Sequence, residues 1–256
     1  MKKHFILATV ATASFLITGC KKENTTPEPK VIEAAGNILS AINEYKALLG
    51  ADNGGDPGTK GVTGFREINW DGLTDAESAP NLYPSDLFNS PAAPRARGIV
   101  ISTPGTGLMV SADSNNPTGT PPSFGNINPT YTAIFPPYSA ERLFSPVGSN
   151  IADIRFYVPG TNTKAVVRGF GAVYVDVDRL ENAAFEYFDI NDKSLGVYGT
   201  PALNEGHVFL GVLFDKAIVH RVRVEYGNSP LGPNESSTVD VSVMDNFIYG
   251  EPQEAQ

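Results

Sequence analysis

From Asn150 to Gly250 the chain is a succession of short runs rich in Val, Phe and Tyr, each closed by Gly, Asn, Asp or Pro. DIRFYVPG (153–160), TKAVVRGFGAVYVDVD (163–178), AAFEYFDI (183–190) and SLGVYGT (194–200) are followed by HVFLGVLFD (207–215), AIVHRVRVEYG (217–227) and VDVSVMDNFIYG (239–250). Runs of this length and composition are strands, and the intervening clusters are turns. FDINDKSLG (188–196) reads as strand, tight turn, strand. In HRVRVEY, Val222 and Val224 alternate with Arg221, Arg223 and Glu225, so one face is buried and the other wet. The absence of strand–helix alternation excludes a doubly wound α/β fold and predicts an all-β, antiparallel β-sandwich of jelly-roll type. With 25 Gly and 20 Pro in 256 residues, the chain is rich in turns and poor in helix formers. No repeat or linker interrupts residues 60–250, so 51–252 reads as a single sandwich domain and 253–256 as a tail.

The N-terminal fifth has a different character. VIEAAGNILSAINEYKALLG (31–50) spaces Ile32, Ala35, Leu39, Ile42, Tyr45 and Leu49 at intervals of three and four, which predicts one amphipathic helix ended by Gly50. Its polar face has no basic stripe, which favours packing on the domain over lying on a membrane. KKENTTPEPK (21–30) is polar and contains Pro, so 20–30 reads as a disordered tether. The first segment, MKKHFILATVATASFLITGC, has Lys2 and Lys3, then an apolar run from Phe5 to Ile17, then small residues. That is a secretory signal peptide over 1–19, with an apolar run too short to span a bilayer. Ile17, Thr18, Gly19 and Cys20 resemble the lipobox of bacterial lipoproteins, and Cys20 is the only Cys in the chain. The resemblance implies cleavage before Cys20, acylation of that residue and stable anchoring by several chains. In such lipoproteins Asp at position 21 would argue for retention in the inner membrane. Lys21 therefore implies the outer membrane or cell surface. The formal net charge of −9 argues against nucleic acid as a partner.

A second resemblance covers most of the remainder. GFREINWDGL (64–73), YPSDLFNSP (83–91), RARGIVISTPGTGLMVSAD (95–113), ERLFSPVGSNIADIRFYVPGT (141–161), VRGFGAVYVDVD (167–178) and VSVMDNFIYGEP (241–252) occur in this order. Together they resemble an uncharacterised family of secreted bacterial proteins that often carry a surface-sorting tail. The resemblance implies a secreted β domain and no particular activity. This chain departs from the pattern in its N-terminal anchor, in Phe65, where an Arg pair is usual, and in Asn246, where a second Asp is usual. The closing strand is also similar to the last strand of carbohydrate-binding jelly rolls, in which a calcium ion joins an early acidic residue to an Asp on that strand.

The chemistry-bearing residues are mainly acids. There is no Gly-x-Ser-x-Gly elbow, no phosphate-binding loop and no dinucleotide fingerprint. His207 and His220 lack metal-ligand spacing. Glu67 and Asp71 are a carboxylate pair, but four residues along an extended strand separates them by about 13 Å, too far for glycoside hydrolysis. Calcium binding, which needs several carboxylate and carbonyl oxygens, is the better use of Asp52, Asp56, Glu67, Asp71, Asp176, Asp178 and Asp245. Asp71, Asp178 and Asp245 stand first among these, and Asp176 and Asp178 share one side of a strand about 7 Å apart. Turn-capping on a solvated acidic surface is the alternative. Trp70, with Tyr83, Tyr131, Tyr138 and Tyr157, forms either a sugar-stacking platform or part of the core. Alternation in REINWDG puts Ile68 and Trp70 on one face, against Glu67, Asn69 and Asp71, which favours the core. The expectation is a non-catalytic, lipid-anchored surface protein binding a glycan or another extracellular ligand, with a structural Ca²⁺. The alternatives are an adhesion protein with a protein partner and a hydrolase acting on polysaccharide.

Overall fold

The structure, a computed structural model, describes residues 28–255. The expected signal peptide, the lipidation site Cys20 and the tether as far as residue 27 lie outside the described residues. In chain order the first strands are β1 (Lys30–Ala35), β2 (Phe65–Ile68), β3 (Ile99–Ser102), β4 (Gly107–Val110), β5 (Phe144–Val147), β6 (Ile151–Phe156) and β7 (Ala165–Val166). They are followed by β8 (Gly169–Val177), β9 (Ala184–Phe188), β10 (Ser194–Gly199), β11 (Leu203–Leu213), β12 (Arg221–Glu225), β13 (Val243–Gly250) and β14 (Gln253–Glu254). Helix α1 (Leu39–Leu49) lies between β1 and β2, and the single turn α2 (Tyr131–Ile134) between β4 and β5. Among the described residues no helix is long and apolar enough to cross a membrane.

The strands form an antiparallel β-sandwich. One layer has the order β1-β11-β8-β13-β5-β4, with β2 also paired to β13, and the other has the order β10-β9-β12-β6-β3. From β3 onward the chain passes repeatedly from one layer to the other, the winding expected of a jelly roll. Apolar residues from both inner faces meet in one core, among them Ile99, Ile154, Phe170, Phe185, Val222 and Phe247. The larger layer also buries its outer face, in two places. One part lies under α1, where Ile42, Tyr45 and Leu49 cover Val173, Phe209 and Ile248. The other lies under the loops that carry Phe124, Tyr131, Phe135 and Leu231, which cover Val175 and Val243. That double covering explains why all nine residues of β8 and all eight of β13 are buried and why neither strand alternates.

The segment 31–50 is not one helix. Residues 30–35 pair with β11 in the register Lys30↔Leu213 to Ala35↔Val208. Gly36, at φ 77°, ends the strand in a conformation that disfavours other residues, and the helix starts only at Leu39. The β-branched pair Val31–Ile32 prefers a strand, and a free edge on β11 supplies its partner. Helix α1 does pack on the domain. The Tyr45 ring sits over glycines of the sheet and donates from Oη to Val212 O at 3.1 Å. A Cβ at Gly211 would come within 2.7 Å of that ring, and one at Gly169 within 2.8 Å of its hydroxyl. The expected tail at 253–256 is also partly structured, because Gln253 and Glu254 pair with Val166 and Ala165.

Candidate functional site

Trp70 belongs to the core. Strand β2 ends at Ile68, and Trp70 takes φ 68°, unusual for a bulky residue, which turns its side chain into the sandwich. Its ring stacks on Phe144 with centroids 4.3 Å apart and meets Phe247 edge-on at 4.9 Å. The indole Nε1 donates to Asp245 O at 2.8 Å. Tyr83 and Tyr131 are buried as well, while Tyr138 and Tyr157 are half-buried beside His207 and His220 respectively. These five aromatics form no common platform. His220 is a buried residue whose Nδ1 is 2.8 Å from Ala165 O.

The five leading metal candidates fall in three places. Glu67 is engaged through both oxygens: Oε2 accepts from Lys46 Nζ at 2.7 Å and Oε1 from Asn246 Nδ2 at 2.7 Å. Asp71 and Asp245 come together around Ser139. Asp245 Oδ2 accepts from the N–H groups of Tyr138 and Ser139 at 2.8 and 3.0 Å. Asp71 Oδ1 accepts from the N–H groups of Glu141 and Arg142 at 3.2 and 3.1 Å. The Ser139 hydroxyl lies 2.8 Å from Asp245 Oδ1 and 3.1 Å from Asp71 Oδ2. This arrangement is a latch that holds the 138–142 loop against β13. Asp245 reaches the loop because β13 bulges against β8 between Met244 and Phe247, giving two residues opposite one. Burial pushes the Asp245 carboxyl up to about 7, and the neighbouring Asp71 adds to the shift.

Asp176 and Asp178 form the third place, and they acquire a partner that sequence reasoning missed. Carboxylate oxygens of Asp176, Asp178 and Glu235 all lie within 4.8 Å of one another. Asp176 is at φ 64° opposite a second irregularity, where Leu203 pairs with Val177 and His207 with Val175. Its Oδ1 accepts from the Glu205 N–H at 2.7 Å. Its Oδ2 and the Oδ1 of Asp178 are buried and have no hydrogen-bond partner. Glu235 comes from the loop between β12 and β13, where Oε1 accepts from the Val241 N–H at 2.9 Å. Asp240 stands beside the group, held by Asn182 Nδ2 at 2.8 Å. Burial pushes Asp176 up to about 8, reinforced by the charges of Glu235 and Asp178. Burial likewise raises Glu235 and Asp240. Asp52 and Asp56 are elsewhere, the first capping the Gly54 N–H at 2.8 Å and the second paired with Lys60 at 3.6 Å.

Two hollows among the described residues lie away from both carboxylate sites. Where the edge strands β1 and β10 leave the sandwich open, a hollow of about 530 Å³ is lined by Val31, Lys193, Leu195, Tyr198, Phe214 and Ile218, with Glu28 at its margin. A second hollow of about 470 Å³ shares Leu195 and Ile218 and adds Val166, Asp189, Gln253 and Glu254. Joined at Leu195 and Ile218, they make one cleft with both apolar and polar lining. The Asp189 carboxylate is engaged in its own turn, accepting from Asn191 and Lys193 N–H groups at 2.8 and 2.9 Å. Sequence reasoning found the hairpin that forms one wall but not the cleft, because the other wall comes from β1 and β14, read there as helix and tail. Compared with protein-family models, curated proteins and solved structures, the chain matches none of them.

Proposed function

We propose that this is a non-catalytic binding domain, held by a lipid on Cys20 at the outer membrane or cell surface, that takes a glycan in the cleft between β1 and β10. The cleft itself carries the reading. It pairs a half-buried aromatic, Tyr198, and the apolar Leu195 and Ile218 with the polar groups of Lys193, Ser194 and Glu28. An aromatic face beside a few polar groups suits a sugar ring, whose flat side is apolar and whose rim needs hydrogen bonds. The lipobox and the resemblance to secreted surface proteins support the location. Glu28 is eight residues from Cys20, so a lipid there would hold the cleft within about 29 Å of the bilayer.

The test is a polysaccharide array followed by calorimetry on the retained glycan. Binding should weaken about tenfold in Tyr198→Ala and be unchanged in Tyr157→Ala, outside the cleft. No retention on the array, or equal affinity in Tyr198→Ala, would refute the glycan reading. Strand β10 offers a second reading, because it is a sheet edge with an exposed Val197 and such edges can add a strand from a protein partner. Binding that survives Tyr198→Ala but is lost on Val197→Pro would favour that adhesion role. Release of reducing ends from the bound polysaccharide would favour the hydrolase.

A further inference from the structure

We propose that Asp176, Asp178 and Glu235 form a calcium site that fastens the loop between β12 and β13 to the end of β8. Three carboxylates converge, and two of them present buried oxygens with no partner. Asp176 is fully buried, and its Oδ2 is one of those oxygens. A buried carboxylate oxygen without a donor is costly, and a second and third carboxylate beside it raise the cost further. Only protons or a cation can relieve the crowding. The donor set favours the larger cation. Ca²⁺ accepts several protein carboxylates in flexible geometry, whereas Mg²⁺ demands near-ideal octahedral geometry and keeps most of its waters. The ligand set is all oxygen, as a hard cation requires. Asp178 and Glu235 are only half-buried, which leaves one side open for water to complete the coordination.

The remaining oxygens are already placed to hold the ligands still. Asp176 Oδ1 is fixed by the Glu205 N–H and Glu235 Oε1 by the Val241 N–H. Asp176 and Glu235 therefore present their free oxygens from anchored positions. The ion would tie three parts of the chain: the end of β8, the bulge in β11 and the 226–242 loop. The site shares no residue with the cleft lining, so it stands or falls independently of what the cleft binds.

Calorimetry and thermal melting of the chelator-treated full chain test the assignment at pH 7.5. Ca²⁺ should bind at a single site and raise the Tm, with Mg²⁺ at least tenfold weaker. In Asp176→Asn/Glu235→Gln the Ca²⁺ response should vanish, while the apo Tm should equal or exceed that of chelated wild type because the repulsion is gone. Asp71→Asn and Asp245→Asn should keep the response. Limited proteolysis within 226–242 should slow on adding Ca²⁺ to wild type only. No Ca²⁺ response in wild type, or an undiminished one in the double variant, would overturn the site, and equal binding of Mg²⁺ would overturn its assignment to calcium.

Discussion

Asp245→Asn isolates a large pH effect outside the acid cluster. Folding pushes the Asp245 carboxyl from its ordinary 3.8 up to about 7, chiefly by burial. An acid whose pKa is higher in the folded state binds its proton more tightly there. It therefore contributes stability that is fully present below 3.8 and lost as pH rises through 7. A shift of about three units corresponds to about 4 kcal/mol at about 1.4 kcal/mol per unit. Asn at this position mimics the protonated acid: its Oδ1 can accept from the Tyr138 and Ser139 N–H groups and its amide can donate to the Ser139 hydroxyl. Wild type and Asp245→Asn should thus have similar stability at pH 4, and the variant should be the more stable by about 3–4 kcal/mol at pH 8. The assay is urea denaturation at half-unit pH intervals, in chelator throughout so that the acid cluster contributes equally to both proteins. A difference that stays flat from pH 4 to 8 would refute the argument. It would mean that the donors around Asp245 offset its desolvation completely. Asp245→Ala provides the control, because it removes the latch at every pH and should be destabilised even at pH 4.

Other consequences concern packing and anchoring. Arg66 and Glu251 are buried completely in a two-bonded pair at 2.8 and 2.9 Å, and Arg66 also donates to the carbonyls of Asp56, Gly58 and Ala96. Arg66→Ala, which strands the Glu251 charge, should cost about 3–5 kcal/mol in urea denaturation. Trp70→Ala should cost about 3–5 kcal/mol, and Trp70→Phe, which loses the Nε1 bond to Asp245 O, should also leave that carbonyl without its indole donor. Gly211→Ala should destabilise by pushing Tyr45 off the sheet, and Tyr45→Leu in the same chain should recover part of the loss. Cys20→Ser should move the protein from the membrane fraction to the soluble fraction, and continued membrane association would contradict the lipobox reading.

The strands were legible wherever their apolar runs were bounded by turn residues. The seven runs after Asn150 each correspond to one or two of β6 to β13, though β6 and β11 begin before their runs, and the 188–196 hairpin lies where its turn chemistry put it. What failed had a physical reason. Residues 31–50 have helical spacing, but the Gly36–Asn37 break separates a strand from a helix, and only pairing with β11 decides the first half. REINWDG gave the correct fate for Trp70 for an incomplete reason. The alternation stops at Ile68, and a positive φ, not strand period, delivers the indole to the core. Arg66, a charge on the same face as Ile68 and Trp70, is completely buried because Glu251 awaits it 185 residues later. Glu235 had no local mark, since it lies in a Pro- and Ser-rich loop and nothing short of the topology brings it to Asp176.

Asp176 and Asp245 show why residue type alone could not sort these acids. Both lie in the most deeply covered strands, and both escape the regular ladder at an irregularity of the sheet. A bulge re-aims a side chain, and in each case it brings a carboxylate to a passing loop. The difference lies in what the loop offers. The loop at Asp245 presents two N–H groups and a hydroxyl, so the carboxylate is supplied with donors and the arrangement is complete without a ligand. The loop at Asp176 presents Glu235, another acid, and leaves buried oxygens without donors. Hydrogen-bond donors close a site, whereas converging acceptors leave it needing positive charge. By that criterion the Asp71–Asp245 pair acts as a latch, and the group at Asp176, Asp178 and Glu235 is the one for which an ion is proposed.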